Sequence, residues 1–243
     1  MKKLFSVSIL GLFIVSVFAA PAFCQTADEI VSKMIEAQGG RDKLATINDT
    51  TVTGTMELTS MGLSGTFTRY MKEPNKLRMD IEVMGMVITQ AFDGETAWAT
   101  NPQTGSTEEM PEQAAAYFKR DSLGNDSLLN PDKYGITFAS KETEKIDDKD
   151  YLVLEQTFSD GYKSTIYVDP ETYLPYKTKA MTLNQMGMEV EAETLLTDYR
   201  EFEGVKISYS ITVFQDGEEF ITIALDEVTF NKGLEDSLFA MEE

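Results

Sequence analysis

The side chains that most often do chemistry are scarce in this sequence. There is no histidine, which removes the commonest general base and the commonest metal ligand. A single cysteine, Cys24, excludes an intrachain disulfide and leaves neither a structural zinc site nor a thiol nucleophile in the body of the chain. The sequence contains no phosphate-cradling glycine loop, no Gly-x-Ser-x-Gly elbow and no strand–GxGxxG–helix unit. Carboxylates remain, since two of them suffice for glycoside hydrolysis. The densest group, Asp147-Asp148-Lys149-Asp150, lies between two strand-like runs, where a solvated turn outweighs calcium binding or catalysis. Glu189, Glu191 and Glu193 alternate along one run, which is ordinarily the wet face of a sheet. No catalytic residue, metal ligand or cofactor is assigned, and the expectation is a binding protein rather than an enzyme.

The apolar residues say more. There are 13 methionines, and many lie in or beside strand-like runs: Met56, Met61, Met71, Met79, Met84, Met86, Met181, Met186 and Met188. A flexible, polarizable thioether suits a surface that accepts variable apolar ligands, and it equally suits the filling of an ordinary core. A barrel of many strands need not fill its own interior with side chains, which favours a cavity. The residues expected to line it are Phe67, Leu77, Met79, Ile81, Val83, Met86, Ile88 and Trp98, with Tyr117 and Phe118 on a lid.

Several elements must hold these residues in place. Thr26-Ala27-Asp28-Glu29 reads as a capping box, followed by a helix with Ile30, Met34 and Ala37 on one face, and Gly39-Gly40 ends it. From Thr50 the period changes to two. The clearest case is Lys76 to Val83, where Leu77, Met79, Ile81 and Val83 alternate with charged or polar neighbours. Asp93-Gly94 supplies a hairpin turn into Thr96-Ala97-Trp98. Glu108 to Arg120 reads as a helix, with Met110, Ala114, Tyr117 and Phe118 on one side. Strands resume as three pairs, Tyr151–Phe158 with Tyr162–Val168, Tyr176–Leu183 with Met188–Tyr199, and Val205–Phe214 with Glu219–Phe230, each joined by a glycine-containing turn. The sum is about ten or eleven antiparallel strands with one apolar face, which must curl into a barrel or half-barrel to bury it. Residues 25–243 are read as a single domain.

Lys2 and Lys3, the uncharged apolar stretch Leu4 to Ala20, and the small residues after it have the order of a secretory signal peptide over residues 1–24. Cleavage after Ala22 or after Cys24 satisfies the small-residue rule. An uncleaved anchor and a lipidated Cys24 are the competing readings, and the bulky Phe23 argues against lipidation. The formal net charge is −20, which repels nucleic acid and anionic membrane surfaces.

In their order and spacing, several segments resemble the periplasmic outer-membrane lipoprotein-carrier superfamily, of the LolA/LolB-like kind, over essentially all of the chain beyond the leader. They are the opening helix with Gly39-Gly40, Leu44 and Ile47, and the run Pro74-Asn75-Lys76-Leu77-Arg78-Met79. The others are Phe92-Asp93-Gly94-Glu95-Thr96-Ala97-Trp98, Val168-Asp169-Pro170-Glu171-Thr172-Tyr173-Leu174-Pro175 and the closing Leu238-Phe239. The resemblance implies a half-open antiparallel β barrel with a helical lid, for which the insert at 108–131 is well placed. It further implies a periplasmic carrier or chaperone that shields the acyl chains of lipids or lipoproteins during transfer towards the outer membrane. Such a carrier leaves room for inner- or outer-membrane transport proteins as partners. The alternative is an envelope sensor or adaptor of the same fold that binds a lipoprotein and signals to a protein partner.

Overall fold

The computed structural model describes residues 25–241 apart from Gln185, so the leader expected at 1–24 lies outside the described residues. Helix α1 (Ala27–Gln38) starts at the capping box: the Thr26 hydroxyl accepts from the Glu29 amide, and the Glu29 carboxylate accepts from the Thr26 amide. It stops at Gly39, whose φ of 140° is open to glycine alone without strain. A short helix α2 (Arg41–Leu44) leads into the strands β1 (Asp49–Leu58), β2 (Leu63–Lys72), β3 (Lys76–Val83), β4 (Met86–Phe92), β5 (Ala97–Thr100) and β6 (Thr107–Glu109). Helices α3 (Glu112–Asp121) and α4 (Asn125–Leu129) interrupt them. The second series is β7 (Thr137–Ile146), β8 (Lys149–Thr157), β9 (Lys163–Val168), β10 (Pro175–Leu183), β11 (Glu189–Phe202), β12 (Val205–Gln215) and β13 (Glu218–Phe230).

All thirteen strands belong to one antiparallel sheet, in the order β6-β5-β4-β3-β2-β1-β13-β12-β11-β10-β9-β8-β7. Each series is a meander, and the β1–β13 pairing joins the two. The sheet is open: β6 and β7 are its edges, and the connection between them runs through α3 and α4. This corrects the expected ten or eleven strands, and the two unforeseen ones are the edges. β6 was hidden inside the expected helix Glu108–Arg120, which in fact begins after Pro111. β7 carries Lys141-Glu142-Thr143-Glu144-Lys145 and has no apolar alternation to read, because most of an outer strand is in water.

The sheet curls around α1. Ile30, Val31, Met34 and Ile35 pack against Leu154 of β8 and Val168 of β9, and also against Val205 of β12 and Val228 and Phe230 of β13. Strands this far apart in the order reach one helix only if the sheet wraps it. Burying a side chain of this size stabilises by about 1.5–3 kcal/mol, so each of these contacts favours the curled sheet. Gly54 of β1 sits at a bulge in the β1–β13 ladder, where a Cβ would stand 2.7 Å from the Phe67 ring and 2.3 Å from the Ala224 carbonyl oxygen. Phe67 therefore folds over a position that only glycine leaves empty. Among the described residues no helix is long and apolar enough to cross a membrane.

The outer face carries a second anchor. Phe239, with no exposed surface, closes the chain beneath the row Trp98–Ala91–Arg78. The Trp98 indole N–H donates to the Phe239 carbonyl at 2.9 Å, and Arg78 Nη1 donates to the Leu238 carbonyl at 3.0 Å. Lys72 and Lys76 flank Asp236 at 2.6 and 3.2 Å, and the buried Asp49 carboxylate accepts from the Lys232 and Gly233 amides at 2.7 and 2.9 Å. Truncating Phe239 to alanine removes the plug of this knot. The expected loss is about 3–5 kcal/mol, read as a lower urea midpoint with unchanged slope, and a wild-type midpoint would show that the tail docks without holding the sheet.

Candidate functional site

In an antiparallel ladder, directly opposed residues share a face, and Val52 and Val228, both packed against the α1 cluster, mark the inner one. Following the ladders outward from β1 assigns the rest. Arg69 and Met79 lie in the row of Val52, Phe67, Ile81 and Ile88 in the row of Gly54, and Gly65, Val83 and Met86 in the row of Met56. Leu77 pairs with Met71 and is also inward. The inner face of β2–β4 thus brings together seven of the ten residues chosen from the sequence. Phe67 and Leu77 are sealed, Met79, Ile81, Val83 and Ile88 are half-buried, and Met86 is exposed at the hairpin tip. Trp98 does not belong with them. Its row faces outward, and its indole is occupied by the Phe239 carbonyl, so the expected cavity role is corrected to an anchor for the chain's end.

Tyr117 and Phe118 sit on α3, as expected of a covering helix. Tyr117 lines a cavity of about 480 Å³ between α3, α4 and the inner faces of β8–β13, while Phe118 is half-buried and is not among the lining residues. The cavity wall includes Gln156, Ser164, Ile166, Thr178, Ala180, Ala192, Thr194 and Val213, none of which was chosen from the sequence. The signal was weak there because small and hydroxylated residues alternate with charged ones, and neither set is plainly greasy. The outward set Glu189, Glu191, Glu193 was nevertheless legible, and its complement Val190, Ala192, Thr194 is the inward set.

Helix α3 is tied to both walls. From the β2 side, Arg69 Nη2 donates to the Asp121 carbonyl at 3.1 Å, and Lys119 lies 5.4 Å from the Phe92 ring. From the other side, the Tyr117 hydroxyl donates to Glu189 Oε1 at 2.9 Å and the Gln113 amide donates to the same oxygen at 3.3 Å. Arg120 stacks 3.9 Å over the Tyr162 ring and reaches Asp160 at 3.5 Å, and Tyr117 meets Tyr162 edge to face at 5.6 Å. Burial, then the hydrogen bond to Glu189, pushes the Tyr117 phenol up to about 12. Burial lowers the Arg69 pKa, with the Asp121 charge opposing it, although a guanidinium stays charged at neutral pH. The Nε–H groups of Arg69 and Arg120 are buried without partners, and each such group costs about 1–3 kcal/mol. Arg69 was missed in the sequence, yet the signal was there: it is a cation at the same parity as Phe67 and Met71.

Helix α4 is pinned separately. The Glu73 carboxylate accepts from the Asn125 and Asp126 amides at 2.6 and 3.4 Å, and the Asp126 carboxylate accepts from Lys133 and Asn130, both at 2.6 Å, and from the Tyr134 hydroxyl. These hydrogen bonds hold Asp126 at about 2, with Lys133 the largest cause.

Every large hydrophobic side chain exposed among the described residues lies on or beside three hairpin tips. These are Met61 at β1–β2, Met84, Met86 and Val87 at β3–β4, and Met181, Met186 and Met188 at β10–β11. The meander puts all three tips at one end of the sheet, where the cavity residues Phe158, Tyr162 and Gln215 also lie. The segments 58–68, 83–92 and 180–188 contain no charged residue, although 26% of the chain is charged. Of the Asp147–Asp150 group, Asp147 and Asp148 form the β7–β8 turn at φ of 50° and 37°, while Lys149 and Asp150 open β8 and Lys149 pairs with Asp169 at 2.8 Å.

No protein-family model and no curated protein matches the chain. Solved structures do. A DUF1329 family protein from Desulfovibrio piger superposes with a TM-score of 0.58 at 17% identity, covering 88% of this chain and 97% of the other. A LolA superfamily protein from Nitrosomonas europaea gives 0.60 at 16% identity, over 89% and 98%. A domain assigned by its name to outer-membrane lipoprotein sorting, from Vibrio parahaemolyticus, gives 0.57 at 14%, over 87% and 94%. The fold is LolA-like: an open, curled antiparallel sheet with helices inside it and across its mouth.

Two measurements check the ties. The Asp126 carboxyl carbon should titrate near 2, so the contribution of this anchor is fully present above the ordinary Asp value of 3.8 and is lost as pH falls through about 2. A midpoint at the ordinary value would show that the Lys133 and Tyr134 contacts do not persist in solution. Replacing Arg69 with methionine removes the tie to Asp121 while keeping the bulk of the stem. Tryptic cleavage after Lys119 and Arg120 should then accelerate several-fold at unchanged melting temperature, and unchanged cleavage would show that α3 is held from the Glu189 side alone.

Proposed function

We propose that the protein is a periplasmic carrier that takes the acyl chains of lipids or lipoproteins into its curled sheet, without covalent chemistry, for transfer towards the outer membrane. The observation that carries this reading is the inner face of β2–β4. Met79, Ile81, Val83 and Ile88 stand there half-buried, outside the apolar cluster that α1 fills at the other end. The fold shared with a LolA superfamily protein and with a domain named for lipoprotein sorting supports the same reading, as does the export leader expected at residues 1–24.

The energetics suit a carrier. Each buried methylene is worth about 0.8 kcal/mol, so a chain of ordinary length is held firmly without any charged contact. Methionine adapts to chains of differing length and unsaturation. Release needs α3 to move. The two orphaned guanidinium N–H groups make its closed position less favourable than a fully paired one, which leaves opening within reach of a partner's binding energy.

Titration of the protein lacking residues 1–24 with a fluorescent fatty-acyl probe tests the reading. Saturable binding is expected, and Ile81→Glu should weaken it at least tenfold, because a carboxylate on this wall is either desolvated or neutralised at a cost. Melting should change little if the site is open to solvent. A folded protein that takes up no acyl probe would refute the carrier.

A further inference from the structure

The two walls of the curled sheet differ in chemistry. The inner face of β2–β4 is apolar apart from Arg69 and Gln90. On the opposite wall the ladders spell out two rows that cross five and six strands. One row is Gln156, Ser164, Ala180, Ala192, Gln215, running from β8 to β12. The next is Leu154, Ile166, Thr178, Thr194, Val213, Ile221, running from β8 to β13. All but Leu154 line the cavity of about 480 Å³. The first row is a trough with an amide at each end and a floor of small side chains, and the second places a pair of hydroxyls directly opposite each other beside it.

These polar groups are underused by the protein. The Ser164 hydroxyl donates to Gln156 Oε1 at 3.0 Å. Among the described residues, the Gln156 amide nitrogen, the Thr178 and Thr194 hydroxyls and the Gln215 amide make no side-chain hydrogen bond. Charge, by contrast, is turned away. On β10 and β11 Lys177 pairs with Glu193 at 3.4 Å and Lys179 with Glu191 at 2.8 Å on the outer parity, while Glu189 accepts from Tyr117 and Gln113 of α3. The ionic groups on the cavity itself are Arg120 and Asp121, of opposite sign, and Arg120 is already engaged by Asp160 and Tyr162.

We propose that this wall is a subsite for an uncharged, hydroxyl-rich head group, of the glycerol or sugar type, on an acylated ligand whose chain lies against β2–β4. The proposal rests on the carrier reading and adds head-group selection to it. A purely aliphatic ligand would strip water from Thr178, Thr194 and Gln215 and give nothing back. An anionic head on this wall would be desolvated where the one cation among the lining residues, Arg120, is already engaged, inside a chain of net charge −20. A polyol both donates and accepts, as hydroxyls and amides require.

Three probes of one chain length test this below their micelle concentrations: a monoacylglycerol, an alkyl glucoside and the free fatty acid. Both neutral probes should bind about tenfold or more tighter than the fatty acid, and the tighter of the two identifies the glycerol or the sugar source. The isosteric pair Thr178→Val with Thr194→Val, and separately Gln215→Leu, should abolish that preference while fatty-acid affinity stays within about twofold. Equal binding of all three probes by the unaltered protein, or a preference that survives both variants, overturns the subsite and leaves the carrier standing. Binding of none of them overturns the carrier itself.

Discussion

A sheet of thirteen strands with one apolar face has to be covered on that face, and this chain covers it unevenly. At one end α1 fills the curl with Ile30, Val31, Met34 and Ile35, and the packing reaches strands from β8 round to β13. At the other end α3 adds no residue to that apolar cluster. There the covering falls to this helix, which touches the walls through hydrogen bonds, an edge-to-face ring pair and two guanidiniums, not through a buried apolar stripe. The difference between a solid end and a bridged end follows from composition. α1 carries four buried apolar side chains in three turns, whereas α3 has none that is fully buried.

The openness of the sheet makes that bridge necessary. A closed barrel would pair β6 with β7, removing both edges and fixing the interior volume. Here the edges are kept apart by the segment that contains α3 and α4, and each is protected in its own way, β6 by being three residues long and β7 by its charges. The width of the cavity is therefore set by contacts that can be made and broken, such as Arg69 to Asp121 and Tyr117 to Glu189. Those contacts join residues far apart in sequence.

Much of the fold could be read from the residues. The capping box at Thr26–Glu29, the glycine stop and the strict alternation from Lys76 to Val83 are local patterns, and local patterns survive folding because tertiary packing reinforces them. The alternation also sorted seven inward-facing residues of β2–β4 from their outward neighbours, although none of the seven lines the cavity of about 480 Å³. What escaped was set by long-range geometry. The edge strand β7 has water on most sides and so no period to betray it. Trp98 has the parity of an outward residue, but nothing nearby says that Phe239, 141 residues on, will be waiting there. Arg69 breaks an apolar row, a sign that is easily passed over until the helix it reaches is in place. The polar wall of β8–β12 looked like an ordinary solvated face, since alternation alone cannot tell a cavity from bulk water.

The three charge-free hairpin tips also bear on how the molecule behaves among copies of itself. Methionines on protruding turns adhere to one another in water, and each tip also offers the unpaired end of a strand. The acidic residues counteract this, because a net charge of −20 gives every pair of molecules a repulsion that grows as they approach. That repulsion is screened beyond about 8 Å at physiological ionic strength. Dispersal is thus governed by contact-range charge around the tips, and colloidal stability and the sticky rim are opposite sides of one surface design.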